Sequence, residues 1–210
     1  MDVNHIHWLG HASFRIEDET SQIYIDPWKV PAGSPPADII LITHAHFDHF
    51  SPEDIARIER PGTIFVAPPD VAAKLAGKTV VTARAGETHT AGSLTIEAVP
   101  AYNVGKAFHG RGAGWLGYNV TLSSGQRVYH AGDSDVTPEM KAVKTDVALL
   151  PCGGTYTMTP AEAAAAASAI KPAVLIPMHW GDVVGSEADA KAVAKAFPGT
   201  TVIPKRQVTR

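Results

Sequence analysis

The segment Thr43-His44-Ala45-His46-Phe47-Asp48-His49 places three imidazoles and a carboxylate within six positions, directly after the apolar run Ile39-Ile40-Leu41-Ile42. Imidazole nitrogen and carboxylate oxygen together suit zinc and its first-row neighbours, whereas magnesium and calcium prefer oxygen alone. The residues therefore point to one or two bound transition-metal ions and to metal-dependent hydrolysis. The apolar run reads as a buried strand, so His44, His46 and Asp48 fall on alternate residues where that strand gives way to a loop. The plain alternative is a histidine-rich polar loop that holds no metal, but packing gives no reason for so many clustered imidazoles.

The pattern His-x-His-x-Asp-His resembles that of the metallo-β-lactamase superfamily, and the resemblance runs nearly end to end. It is carried further by Trp8-Leu9-Gly10-His11-Ala12-Ser13-Phe14, Ile25-Asp26-Pro27-Trp28, Tyr129-His130-Ala131-Gly132-Asp133-Ser134-Asp135, Leu150-Pro151-Cys152-Gly153-Gly154 and Pro177-Met178-His179-Trp180. In this order the segments are similar to the small metal-dependent hydrolase branch related to UlaG-type lactonases and N-acyl-phosphatidylethanolamine phosphodiesterases. The resemblance implies an α+β fold: an αββα sandwich of two facing mixed β-sheets with outer helices and structurally similar halves. It implies that His44 and His46 ligate a first metal, that Asp48, His49 and His179 ligate a second, and that Asp133 bridges both. Many members carry a third histidine for the first metal straight after the strand matching Leu94–Pro100, where this chain reads Ala101-Tyr102-Asn103. His109, in a glycine-rich loop six residues later, either folds back to coordinate or lies at the surface or in the substrate pocket.

Around these ligands the resemblance implies that Asp26 orients the histidine loop by hydrogen bonds. His130 is expected to support the Asp133 turn, and His11 lies near the metal edge in a supporting, substrate-contacting or structural role. Tyr102, Asn103, Trp115, Tyr156 and Thr157 are candidates for substrate contact, oxyanion stabilisation or packing. His5, His7 and His89 lack motif context and are expected to be structural or solvent-facing. An ion held by neutral imidazoles and carboxylates lowers the pKa of bound water to about 7, and two such ions lie about 3.5–4 Å apart. The expected reaction is attack by metal-bound hydroxide on an ester-like bond, a lactone or a phosphodiester, with Asp48 as orienting group or proton acceptor. Zn2+ is the expected ion, with Mn2+, Fe2+ and Ni2+ compatible. Two other readings use the same residues: a di-iron oxidoreductase, which usually passes electrons to a flavin in a further domain, and a non-catalytic metal-binding protein.

The bulk properties set bounds on partners and compartment. A chain of 210 residues with no Pro/Gly/Ser-rich tract or charge block between two halves is expected to form one domain over 1–210. With 18 basic against 21 acidic side chains, a formal charge of −3 and no Lys/Arg cluster, it offers no footprint for nucleic acid, so a small-molecule substrate is expected. A homo-oligomer is compatible with the sequence. The single cysteine, Cys152, permits no intramolecular disulfide and reads as a small buried apolar residue. The N-terminus has neither the basic start nor the apolar stretch of a signal peptide, and no segment approaches the ~20 apolar residues of a membrane span. A cytoplasmic protein with no membrane contact is expected.

The elements that must position the histidines are legible as short apolar or alternating runs between turn residues. Strands are expected at 6–8, 12–16, 22–25, 39–43, 63–67, 79–82, 94–99, 118–122, 127–130, 147–150, 174–177 and 201–203. Three helices have readable starts: Ser51-Pro52, the capping box Thr159-Pro160-Ala161-Glu162 opening the alanine-rich run to Ile170, and Ser186-Glu187-Ala188-Asp189 running to Pro198-Gly199. Ala163–Ala167 reads as a helix face packed closely on a sheet.

Overall fold

Apolar residues on both faces of the early strands require cover on both sides, and the chain supplies it with a second sheet and with helices. The computed structural model describes residues 1–207, so the last three positions of the expected domain lie outside the described residues. The first sheet runs β1 (Ile6–Gly10), β2 (Ser13–Asp18), β3 (Ser21–Ile25), β4 (Ile39–Leu41), β5 (Ile64–Ala67) and β6 (Thr79–Thr82), hydrogen-bonded in that order. The second runs from β7 (Thr88–Ala91) through β8 (Leu94–Pro100), β9 (Leu116–Thr121), β10 (Arg127–His130), β11 (Val147–Pro151) and β12 (Val174–Met178) to β13 (Thr200–Thr201). Each sheet begins antiparallel and turns parallel, at β3/β4 in the first and at β10/β11 in the second. The two halves are therefore alike in topology, as the sandwich requires.

Parallel neighbours need crossovers, and helices fill all but the first of them. These are α1 (Pro52–Ile58) and α2 (Pro69–Ala72) on the first sheet, and α3 (Pro138–Ala142), α4 (Pro160–Ile170) and α5 (Glu187–Ala196) on the second. Ile39 and Leu41 of β4 join the central core with Phe14, Ile96, Tyr118 and Val128, while Ile40 and Ile42 pack outward with Ile55, Ile58 and Val71 of α1 and α2. That alternation on a strand buried on both faces explains the uninterrupted apolar run before the histidines. The three expected helix starts form as read. Ser51 accepts from the Asp54 amide, Thr159 and Glu162 form a capping box, and Asp189 accepts from the Ser186 amide. Ala163, Ala164, Ala166 and Ala167 are buried in the core.

Three expectations about elements need correction. β7 was not expected, because its Thr88–Ala91 sequence is largely exposed at a sheet edge and carries little apolar alternation. The strand expected over 201–203 is instead Thr200–Thr201, which pairs with β12 through only two residues. The short helices α2 and α3 were also unexpected; at four and five residues they show no helical periodicity, and only Pro69 and Thr137-Pro138 mark their starts.

Candidate metal centre

Because β3, β4, β10 and β12 belong to the parallel parts of the sandwich, the loops that leave their C-terminal ends meet along one edge. Asp26 follows β3, His44 to His49 follow β4, Asp133 follows β10 and His179 follows β12. Three groups of potential ligand atoms form there among the described residues, one of them Asp26 with His44 and His49, and the other two face the pocket. His44, His46 and His109 lie with their ligand atoms within 4.8 Å of one another, and so do His11, Asp48, His49 and His179. Asp133 stands between the groups. Its Oδ1 is 3.2 Å from His49 Nε2, and its Oδ2 is 3.2 Å from His109 Nε2, 3.0 Å from His179 Nε2 and 3.9 Å from His44 Nε2. The loop carrying His109 thus folds back onto the first group.

Hydrogen bonds on the far side of each ring fix which nitrogen faces inward. Asp26, held with φ at 49°, accepts from the Thr43 amide at 2.8 Å and from the Thr43 hydroxyl at 2.6 Å. Its Oδ2 also takes the His49 Nδ1–H at 2.7 Å. Since the Thr43 hydroxyl has given its only proton to Asp26, it accepts from His44 Nδ1 at 2.9 Å. Asn103 Oδ1 accepts from the His109 amide at 2.9 Å and from His109 Nδ1 at 3.1 Å, while its own amide donates to the Tyr156 carbonyl. In all three rings Nδ1 makes the outward hydrogen bond, so Nε2 is the nitrogen that faces the cluster and would reach an ion once unprotonated.

Backbone geometry is strained where the site needs it. Among the described residues five non-glycine positions have positive φ, and three of them are His11, Asp26 and His179. The His179 amide donates to the His11 carbonyl at 2.8 Å, tying the two loops together. Gly132, at φ +60°, leads into Asp133 so close to the histidine loop that a Cβ there would stand 2.7 Å from the Leu116 carbonyl oxygen and 3.2 Å from Thr43 Cβ. No side chain fits at that position.

Burial and mutual charge set the protonation of the cluster. Burial, reinforced by His49, holds His44 well below the usual imidazole value. Burial also takes His11 down to about 4, against the hydrogen bond it donates to Asp48. His49 moves the other way: burial opposes its charge, but Asp133 and Asp26 outweigh it and raise the ring well above its ordinary value. Burial pushes the carboxyls of Asp48 and Asp133 up, yet the His11 hydrogen bond on Asp48 and the His179 and His49 rings around Asp133 hold both below the ordinary carboxylate range.

The donor set fits a divalent first-row ion, and four orphaned atoms test that fit. His49 Nε2, His109 Nε2, His179 Nε2 and Asp133 Oδ1 are buried and make no hydrogen bond, although they point at one another. Unpaired buried polar groups are costly unless something satisfies them, and a cation between imidazole lone pairs and a carboxylate does so. Side chains of His46, Asp48, His109, Asp133 and His179 line a pocket of about 460 Å³, which opens the cluster to a small molecule.

The remaining residues singled out from the sequence divide. Tyr156 lines the pocket. Trp115 covers His44 and His46 with ring centroids at 4.9 and 4.8 Å, while its indole N–H binds Asp70. Asn103 positions His109 instead of reaching substrate. Tyr102 turns away: its hydroxyl donates to Glu139 and it lines a separate cleft. Thr157 offers only its carbonyl, to Lys106, and its buried hydroxyl is unpartnered outside the pocket. His130 gives Nε2–H to the Ala12 carbonyl and accepts the Gly132 amide on Nδ1, bracing the turns before Asp133 and after His11. His7 and His89 pair with Glu17 and Glu87, and His5 lies outside all three groups. Cys152 is buried, its thiol pushed up to about 12 by burial.

Thr43, Lys106 and Asp135 were missed. Asp135 holds the His109 loop through the Val104 amide at 2.8 Å and Lys106 Nζ at 2.5 Å. Its place in Gly132-Asp133-Ser134-Asp135 was the available signal. His11, expected to stand beside the ligands, sits among them, with Nε2 3.1 Å from Asp48 Oδ2.

Comparison with known proteins agrees with this fold. The family profile described as a beta-lactamase superfamily domain matches residues 5–179. A UPF0173 metal-dependent hydrolase of Aeropyrum pernix is 37% identical over 204 residues, covering 83% of this chain and 81% of the relative. One from Methanopyrus kandleri is 34% identical over 204 residues, covering 88% and 87%. Among solved structures, a protein from Parabacteroides distasonis assigned as a metal-dependent hydrolase superposes with a TM-score of 0.85 at 35% identity, covering 96% of this chain and 93% of that one. A metallo hydrolase from Ignicoccus hospitalis follows with a TM-score of 0.78 at 27% identity, covering 96% and 94%. From the sandwich, the clustered ligands and relatives matched along most of both chains, the protein belongs to the beta-lactamase superfamily and, within it, to the UPF0173 metal-dependent hydrolase family.

Proposed function

We propose that this metal-dependent hydrolase cleaves an ester-like bond, a lactone or a phosphodiester, in a small substrate at the pocket between His46, Asp48 and Tyr156. The observation that carries the reading is the convergence of two ligand groups on Asp133 at a pocket open to solvent. His44, His46 and His109 would hold one ion; Asp48, His49 and His179 would hold a second; Asp133 would serve both. Zinc is the favoured ion, because three imidazoles with carboxylate suit it. Such ions, when bound, lower the pKa of a coordinated water to about 7 and polarise the substrate oxygen.

The protein's own groups do the rest. Asp48 is ionised at neutral pH, since His11 and His49 hold its carboxyl down, and it lines the pocket with one oxygen anchored on His11. That makes it the proton acceptor for the attacking water, while Asp133 is surrounded by imidazoles. Tyr156 lines the same pocket and is the candidate donor to the oxygen on which charge develops. A panel of lactones, carboxylic esters and aryl phosphodiesters should show metal-dependent turnover that chelator abolishes. Asp48→Asn should lower kcat by about 10²–10⁴-fold, the usual worth of a general base, with metal content measured in parallel to separate proton transfer from ligation. A metal-replete preparation that turns over no member of the panel would refute the reading.

A further inference from the structure

The pocket mouth differs from the rest of the surface. Five large hydrophobic residues are exposed among those described: Met1, Phe47, Val104, Phe108 and Val183. Three of them, Phe47 at 66%, Phe108 at 48% and Val183 at 39%, line the metal pocket, and Val104 belongs to the loop that carries Phe108. Phe47 stands between His46 and Asp48, and Phe108 directly precedes His109, so the residues that bind the ions also set these rings at the rim. Each ring has an aromatic partner: Phe47 meets Trp28 edge-on at 5.9 Å, and Phe108 meets Tyr156 edge-on at 4.8 Å. Solvent-exposed aromatics gathered at the rim of a concave site mark a binding surface.

Charge points the same way. Among the described residues no lysine or arginine lines the pocket. Lys106, next to the rim in sequence, is turned to Asp135 and the Thr157 carbonyl, and Lys29 is tied to Asp182 at 2.7 Å. An anionic group on the substrate, away from the reacting bond, finds no guanidinium or ammonium to receive it.

We infer that Phe47, Phe108 and Val183 form an apolar subsite that selects a neutral carboxylic ester or lactone bearing an alkyl or aryl chain over an anionic phosphodiester. The inference rests on the hydrolase reading and narrows its substrate class. In the reaction, the acyl carbon gains a bond to the water oxygen and loses its bond to the alkoxy oxygen, which takes a proton to leave as alcohol; carboxylate and a second proton complete the balance. The chain lies along the two rings throughout.

The test pairs turnover with binding on metal-loaded protein. For p-nitrophenyl esters from acetate to octanoate, kcat/KM should rise about two- to fourfold per added methylene, the gain expected for partial to full burial of each one. Phe47→Ser and Phe108→Ser, both at exposed positions that leave the core untouched, should flatten that slope chiefly through KM, and Phe47→Leu should restore part of it. Straight-chain methyl ketones, which are neutral and are not hydrolysed, should bind more tightly with length in the wild type and not in the serine variants, as read by calorimetry. Length-dependent ketone binding without ester turnover would support the subsite while removing the hydrolase reading. A flat ester series in an active enzyme would overturn the subsite, as would faster turnover of bis(p-nitrophenyl) phosphate. Serine variants that alter self-association or binding to neutral phosphatidylcholine vesicles while leaving KM unchanged would overturn it too.

Discussion

Asp26 reaches no substrate, yet three of the bonds that aim the cluster end on it: from the Thr43 amide, the Thr43 hydroxyl and His49 Nδ1. Supporting carboxylates of this kind raise the basicity of a metal-binding imidazole and fix its tautomer, and their loss typically costs 10–100-fold in metal affinity. Asp26→Ala should therefore weaken metal binding by about that factor, measured by competition with a chromophoric chelator, and should let the His49 proton move between ring nitrogens in nitrogen-15 NMR spectra. Unchanged affinity with an unchanged tautomer would make Asp26 a structural residue only. The candidate ligands were legible because His44, His46, Asp48 and His49 are near neighbours in sequence, and the structure brings them into the same cluster. Partners across the chain were not. That Asn103 serves His109, that Thr43 relays Asp26 to His44, and that His11 joins Asp48 and His179 depend on how loops from different strands meet, which no local pattern encodes.

At the scale of elements, parallel strands put the loops carrying Asp26, His44 to His49, Asp133 and His179 on one edge, the loop joining the antiparallel pair β8 and β9 brings His109 to it, and capped helices hold the strands in place from outside. Elements with strong local signals were readable: runs buried on both faces such as β4, β11 and β12, and helices opened by Ser51, Thr159 and Ser186. Those that depend on a neighbour were not, as with the exposed edge strand β7 and the single-turn helix α2. The capping box of α4 offers a test of this division of labour. Thr159 accepts the Glu162 amide at 3.3 Å, and Glu162 returns a carboxylate to the Thr159 amide at 2.7 Å. Thr159→Ala should cost about 1 kcal/mol and lower Tm by about 2–4 °C in a chain of this size, seen in thermal melts. Metal stoichiometry should stay as in the wild type, since α4 supports the second sheet from outside and contributes no ligand. Loss of metal in that variant would show that the helix sets site geometry and not only stability.

For the molecule as a whole, the site and the fold share a weakness that metal relieves. His11, His44 and His130 are buried with pKa values below the ordinary 6.5, each chiefly because burial disfavours the charged ring. A lowered histidine pKa means that the unfolded chain takes up the proton first. The stability these three rings support is therefore complete above about pH 6.5 and drains away as pH falls towards 4, the value His11 reaches. His49, raised by Asp133 and Asp26 against its burial, acts in the opposite sense, while His7 and His46, lowered chiefly by burial, act with the three. Metal binding needs His44 and the other candidate imidazole ligands unprotonated, so protons compete with the ion as pH falls. At pH 7.5, zinc at a hundredfold excess over its Kd should add about 2.7 kcal/mol to stability, a rise of about 5–10 °C in Tm over protein held in chelator. At pH 5 the metal-free protein should melt lower than at pH 7.5, and the gain from zinc should shrink towards zero. Melting curves at the two pH values, with and without chelator, decide it: a zinc-dependent rise of equal size at both would mean that the ion is held by groups other than these histidines.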